Sequence, residues 1–125
     1  MYIITGGLGF IGTNLVRRLQ SRDQEKLIIV DIDNKGELSQ AAHMLLREHE
    51  FVSSEGLLKK LKSGDLKDCK GIFHNGACTD TTEWNGEKMM RLNYNYSKDL
   101  LDLCLRENIP LVYASSGAIY GASHT

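Results

Sequence analysis

Three glycines within the first dozen residues constrain this chain more than any other feature. They stand in Thr5-Gly6-Gly7-Leu8-Gly9-Phe10-Ile11-Gly12, after the apolar run Tyr2-Ile3-Ile4 and ahead of a helical pattern. A strand, a glycine turn and a helix start in that order have a physical logic. At Gly6 the backbone leaves the strand sharply, where a Cβ would clash. At Gly9 the main chain is expected to approach a ligand with no side chain between. At Gly12 the first helical turn is expected to pack tightly on the strand. The N–H groups that open a helix lack partners within it and lie at the positive end of its dipole, which suits a phosphate.

Glycine clusters also mark ordinary turns, so the surroundings decide. Ile11, Leu15, Val16 and Leu19 form an apolar stripe at helical spacing, with Arg17, Arg18, Gln20 and Arg22 on the other side. Leu27-Ile28-Ile29-Val30 reads as a buried strand, and Asp31 ends it. An acid about 20 residues past the last glycine is placed to hydrogen-bond the ribose hydroxyls of a bound adenosine. Strand, turn, helix, strand and acid agree on a dinucleotide site, with Gly6, Gly9, Phe10, Ile11, Gly12, Asp31 and Ile32 as its expected cofactor-binding residues.

The rest of the chain continues the alternation. Asp33-Asn34-Lys35-Gly36-Glu37 reads as a loop, and Leu38 to Glu48 as a helix with Ala41, Ala42, Leu45 and Leu46 inward. Glu50-Phe51-Val52 reads as a short third strand, and Ser53 or Ser54 as the cap of a helix from Glu55 to Leu61. Gly71-Ile72-Phe73-His74 is the next strand. A long helix follows within Trp84 to Asn108, with Leu92, Tyr96, Leu100, Leu103 and Cys104 as its inner face. Pro110 stops it, and Leu111 to Ala114 form the last strand. Strands alternating with helices predict the α/β class: a Rossmann-type, doubly wound parallel sheet with helices on both faces.

Composition narrows the partners. A chain of 125 residues makes one domain. A net charge of −1 offers no electrostatic case for nucleic acid or an anionic membrane. No long apolar run suggests a membrane span, and residues 1–5 read as strand rather than signal peptide. Cys69, Cys78 and Cys104 lack the C-x-x-C pattern and fit reduced thiols in the cytoplasm. His43, His49, His74 and His124 show no metal-ligand spacing, so no metal site is expected.

Ligands of such sheets bind beyond the carboxyl ends of the strands. Three segments should meet there: the glycine turn, Asn75-Gly76-Ala77-Cys78-Thr79 after the fourth strand, and Ser115-Ser116-Gly117 after the fifth. Small residues at 76, 77 and 117 let a flat cofactor pass close to the backbone.

With these segments assembled, a resemblance emerges. Thr-Gly-Gly-x-Gly-Phe-Ile-Gly resembles the extended short-chain dehydrogenase/reductase superfamily, and Tyr113 to Gly121 looks like its active-site serine strand. More narrowly, Phe73 to Gly86, with Thr81-Thr82-Glu83-Trp84 at its centre, resembles the ADP-glycero-manno-heptose 6-epimerases. So do Met89-Met90, Asn93-Tyr94, Tyr96-Ser97-Lys98 and Leu100-Leu101. The likeness covers Tyr2 to Asp31 and Gly71 to Gly121, and residues 35 to 65 match poorly.

The resemblance implies a redox epimerisation with a retained nicotinamide cofactor, in which hydride leaves C6 of the ADP-linked heptose and returns to the other face. Asn75, Gly76, Ala77, Cys78, Thr79 and Asn93 would contact that cofactor. Ser116 matches the catalytic serine that polarises the sugar oxygen. In the superfamily a Tyr-x-x-x-Lys pair moves the proton. Tyr94 and Lys98 satisfy that spacing but precede Ser116, whereas the family pair follows its serine; they read as helix packing and surface.

The chain therefore reads as the first five strands of an incomplete dinucleotide domain. Residues 1–125 are its N-terminal part, with the acid/base pair and substrate domain lying outside. NADP is the expected cofactor, with NAD possible. The acid at Asp31 favours NAD, while Lys35 matches the lysine that the heptose epimerases set against the 2′-phosphate. The implied partner is a nucleotide sugar, ADP-heptose. An unpaired sheet edge beside the last strand invites self-association, so a homo-oligomer is expected. Two other readings stay open: another nucleotide-sugar epimerase or dehydratase, and a non-catalytic dinucleotide-binding module.

Overall fold

The computed structural model describes residues 1–22, 24–31, 38–75 and 94–114. Its elements run β1 (Tyr2–Thr5), α1 (Phe10–Arg22), β2 (Leu27–Asp31), α2 (Gln40–Glu48), β3 (Glu50–Ser53), α3 (Ser54–Ser63), β4 (Gly71–His74), α4 (Tyr96–Glu107) and β5 (Leu111–Tyr113). Each strand pairing is parallel, in the order β3-β2-β1-β4-β5. The chain winds outward from β1 to β3, then returns to lay β4 on the other side of β1. The reversal between β1 and β4 is the switch point at which such sheets open a crevice for ligands.

Both sheet faces are covered, which is why β1 and β2 read as continuous apolar runs rather than alternating ones. On one face Ile3, Ile28, Val30 and Ile72 pack with Leu57 and Leu61 of α3 and with Leu100, Leu103 and Cys104 of α4. On the other, Ile4, Leu27 and Ile29 meet Val16 of α1 and Leu45 of α2. Each fully buried isoleucine or leucine contributes about 1.5–3 kcal/mol relative to exposure, so the central strands are held from both sides. This is the expected Rossmann-like α/β sheet.

Local signals set the element ends. Ser39 Oγ accepts the Ala42 N–H at 3.1 Å, so α2 starts at Gln40 rather than at the expected Leu38. Ser53 Oγ accepts the Gly56 N–H at 3.0 Å, which resolves the choice of cap for α3. Helix α3 ends on Gly64 at φ 76°, and α4 ends on Asn108 at φ 57°, both left-handed. Strand β5 stops one residue early, at Tyr113, although the Ala114 N–H still donates to the His74 carbonyl at 3.1 Å.

One expectation is corrected. Ile11 does not join the buried stripe of α1: it is 66% exposed, while Val16 is fully buried and Leu15 and Leu19 pack at the margin. It stands in the first turn of α1, on the crevice side. Of the long helix expected within 84–108, α4 is the described part, with Leu100, Leu103 and Cys104 inward as read; Leu92 lies outside the described residues.

The amino ends of the strands carry a charge cluster. The Met1 ammonium bonds Glu25 at 2.7 Å, and the Lys70 ammonium bonds the other Glu25 oxygen. The Lys70 hydrogen bond, then that of the ammonium terminus, pulls the Glu25 carboxyl down to about 2. This cluster ties the starts of β1 and β4 to the segment before β2, at the end away from the crevice.

Candidate dinucleotide-binding site

The carboxyl ends of β1, β2 and β4 bring Thr5, Asp31 and His74 to one edge of the sheet, with Thr5 in register with both Val30 and His74. From Thr5 the chain enters the glycine turn. Gly6 adopts φ 65°, the left-handed conformation that glycine takes without penalty. The turn is pinned to β2 by two bonds, Gly7 N–H to the Val30 carbonyl at 3.2 Å and Leu8 N–H to Asp31 Oδ2 at 3.0 Å. Gly9 N–H closes it on the Gly6 carbonyl at 3.1 Å, and the Thr13 N–H donates to the Gly9 carbonyl at 2.9 Å as α1 begins.

The glycines differ in what demands them. A Cβ on Gly12 would stand 2.0 Å from the Gly6 carbonyl oxygen and 2.7 Å from Gly7 Cα, so helix and turn meet without room for a methyl. A Cβ on Gly7 would stand 2.7 Å from Ile29 Cγ2. These two are required by packing. Gly9 is not: among the described residues a Cβ there would meet only the Gly6 oxygen, at 3.4 Å, and Gly9 is exposed. Among the described residues nothing in the packing requires a bare surface at Gly9, which fits a pyrophosphate lying against the backbone.

The groups around Gly9 agree. Phe10 is 85% exposed and Ile11 66%, two large apolar side chains that a bound cofactor would cover. The first turn of α1 contains no acid, so no residue of its own offsets the positive end of its dipole. Asp31 serves the fold as well as any ligand, because its Oδ2 holds the Leu8 N–H.

Asn75 follows β4, its N–H donating to the Thr5 carbonyl at 3.3 Å. Its Nδ2 is buried without a hydrogen-bond partner among the described residues. Ile32, Lys35, Gly76, Ala77, Cys78, Thr79, Asn93, Ser115, Ser116 and Gly117 lie outside the described residues.

Sequence reasoning overlooked His74. It is 2% exposed, with Nδ1 at 2.6 Å from Thr5 Oγ1 and Nε2 at 2.8 Å from Ser97 Oγ. Rings of Tyr96 and Tyr113 flank it at 5.9 and 5.6 Å. Burial pushes its pKa below the ordinary histidine value. Tyr96, read as inner face, is partly buried; its hydroxyl donates to the Ser54 carbonyl at 2.9 Å, and burial raises it to about 12. The available signal was a polar residue ending each of two apolar strands, Tyr-Ile-Ile-Thr and Gly-Ile-Phe-His.

Tyr94 and Lys98 line an open cavity of about 460 Å³ with Ser97, Leu101, Leu111 and Tyr113, on the flank formed by α4 and β5. Both are exposed, so the surface part of their reading holds and Tyr94 packs little. Among the described residues no cluster suits a metal ion, and no helix is long and apolar enough to cross a membrane.

Comparison with known proteins extends this geometry. The chain is similar to the solved ADP-L-glycero-D-manno-heptose-6-epimerase of Helicobacter pylori, with 26% identity and a TM-score of 0.75 over 99% of this chain and 41% of that one. It is similar to the UDP-N-acetylglucosamine 4-epimerase of Methanobrevibacter ruminantium, solved with UDP-N-acetylmuramic acid: 27% identity, TM-score 0.72, 96% of this chain and 39% of that one. The UDP-Glc/GlcNAc 4-epimerase of Campylobacter jejuni shares the fold, with 24% identity and a TM-score of 0.78 over 99% of this chain and 39% of that one. The chain thus spans about two-fifths of the length of these proteins. The NAD dependent epimerase/dehydratase family matches residues 2–125. With a match that runs from the first strand to Thr125, through the glycine turn whose geometry favours a dinucleotide, the chain belongs to that family.

Proposed function

We propose that this chain is the N-terminal, cofactor-binding part of an NADP-dependent nucleotide-sugar epimerase. The proposed reaction interconverts ADP-D-glycero- and ADP-L-glycero-manno-heptose by oxidation and re-reduction at C6. The observation that carries the cofactor reading is the bare backbone at Gly9 beside two glycines that packing requires. The heptose reading is supported by the Thr81-Thr82-Glu83-Trp84 segment and by the similarity to the Helicobacter pylori enzyme.

In this proposal the turn from Gly6 to Gly9 and the opening N–H groups of α1 bind the pyrophosphate, while Phe10 and Ile11 cover it from solvent. Asp31 orients the adenosine ribose. Lys35 pairs with the 2′-phosphate, and Gly76, Ala77, Cys78, Thr79 and Asn93 line the remaining path. When bound, the nicotinamide supplies a reversible hydride acceptor. Ser116 donates a hydrogen bond to the sugar oxygen as it becomes a carbonyl. Tyr94 and Lys98 take no proton; they precede the serine and line the α4–β5 flank. Exposed Leu105, Val112 and Tyr113 on α4 and β5 support self-association.

A second reading, a UDP-sugar epimerase, is favoured by the comparable similarity to the Methanobrevibacter ruminantium enzyme. Fluorescence titration with NADPH and NADH tests the cofactor, with saturable binding expected and NADPH tighter. Turnover of ADP-heptose against UDP-N-acetylglucosamine by the protein joined to a substrate domain separates the two sugars.

A further inference from the structure

We propose that His74 is a positioning residue for the dinucleotide site: by bonding Thr5, it holds the end of β1 and the glycine turn in the geometry a pyrophosphate needs. The inference rests on the dinucleotide reading above. Its basis is where the ring sits. His74 ends β4 in register with Thr5, the last residue before Gly6. Its Nδ1 bonds Thr5 Oγ1 at 2.6 Å and its Nε2 bonds Ser97 Oγ at 2.8 Å, so one ring joins β1, β4 and the first turn of α4. The Tyr113 ring packs against it from β5.

The backbone repeats the link. The Asn75 N–H donates to the Thr5 carbonyl at 3.3 Å, and the Ala114 N–H donates to the His74 carbonyl at 3.1 Å. The carboxyl ends of β1, β4 and β5 therefore all meet at His74.

Packing alone does not call for an imidazole here, although an apolar replacement would also take this hydrogen bond from the buried Thr5 hydroxyl. The site is almost fully buried, and an apolar side chain of similar size would keep the packing, whereas a satisfied polar network fixes one arrangement of its members. What His74 adds is the fixed direction of Thr5. From Thr5 the backbone turns at once through the positive φ of Gly6 and on to Gly9. A rotation at Thr5 is passed directly to the pyrophosphate contacts. Burial favours the neutral ring, which offers one donor and one acceptor to the two hydroxyls.

The test compares His74→Leu, which removes both contacts, with His74→Asn, whose amide stands near the position of Nδ1. Two readouts are taken: the Kd for NADPH, and amide hydrogen exchange in the ligand-free chain at Leu8 and Gly9 against Ile4 and Ile29. In His74→Leu the turn amides should exchange about tenfold faster than in wild type with the strand amides unchanged, and the Kd should rise about tenfold; His74→Asn should stay within about threefold on both. Wild-type exchange and affinity in His74→Leu would overturn the proposal. Should His74→Leu fail to fold, Thr5→Val and Thr5→Ser decide, because only the serine keeps the hydroxyl. Equal behaviour of those two would overturn it as well. If wild type itself binds no NADPH, the dinucleotide reading falls, and the exchange rates still decide whether His74 sets the turn.

Discussion

Gly9 and Gly12 lie three residues apart in one motif, yet alanine should do opposite things at them. At Gly12 the new methyl must move from 2.0 Å to at least 3.4 Å from the Gly6 oxygen, and it also meets Gly7 Cα at 2.7 Å and the Gly6 carbonyl carbon at 2.8 Å. All three are backbone atoms, so no flexible side chain yields; helix α1 must lift from the turn in a close-packed interior. Overpacking of this kind costs about 1–3 kcal/mol or more, against about 0.4–1 kcal/mol gained by restricting the unfolded chain. The expected net loss is about 1–2 kcal/mol, a noticeable part of a domain's marginal stability. At Gly9 the methyl meets, among the described residues, only the Gly6 oxygen at 3.4 Å, and the residue is not in the left-handed region. Gly9→Ala should therefore keep the wild-type urea midpoint or raise it slightly. Its methyl occupies the surface assigned to the pyrophosphate, so NADPH affinity should fall at least about tenfold, or about 1.4 kcal/mol. Urea unfolding followed by circular dichroism and NADPH titration measure both. A Gly12→Ala protein as stable as wild type, or a Gly9→Ala protein that binds NADPH normally, would refute this division of labour.

Further expectations follow from the charge cluster and the proposed chemistry. Glu25, drawn from 4.5 to about 2 in the fold, contributes stability that is complete above its unfolded value and lost as pH falls toward 2. Urea midpoints at about pH 5 and about pH 3 should therefore converge for Glu25→Gln relative to wild type, and an identical pH dependence in both would contradict the ion cluster. Lys35→Ala should weaken NADPH by about 1–3 kcal/mol while sparing NADH, since only the former has the 2′-phosphate; parallel losses would make Lys35 a plain loop residue. Assayed alone, the 125-residue chain should not turn over ADP-heptose, because no Tyr-x-x-x-Lys follows Ser116 within it. Turnover that vanished in the double variant Tyr94→Phe, Lys98→Ala would make that pair catalytic after all.

The sheet was legible because its strands announce themselves in local composition. Leu27 to Val30 and Gly71 to His74 are apolar runs bounded by polar residues, and their limits agree with β2 and β4 to within a residue. The short strand expected at Glu50 emerges as β3 because it pairs with β2 in register from Ile28 to Asp31, a contact that no local pattern encodes. Ile11 shows where periodicity misleads: helical spacing assigns it to the buried stripe, but a helix buries that stripe only where it faces the sheet. Gly7 passed unnoticed because its partner, Ile29, is distant in the chain and becomes a neighbour only when β1 and β2 pair. The same holds for the bond from Leu8 to Asp31. His74 was legible as a strand end but not as a hub, since its bonds depend on β1–β4 register and on the docking of α4.

The central claim is that the turn between β1 and α1 is where this chain holds a dinucleotide. Nitrogen-15 NMR of the ligand-free chain titrated with NADPH tests it at the level of single amides. The account predicts saturable shifts largest at Gly7, Leu8, Gly9, Ile11 and Gly12, with the amides around Glu25 and Lys70 at the opposite end of the sheet unmoved. Saturable shifts centred anywhere else, or none at the turn at concentrations that saturate family members, would contradict it.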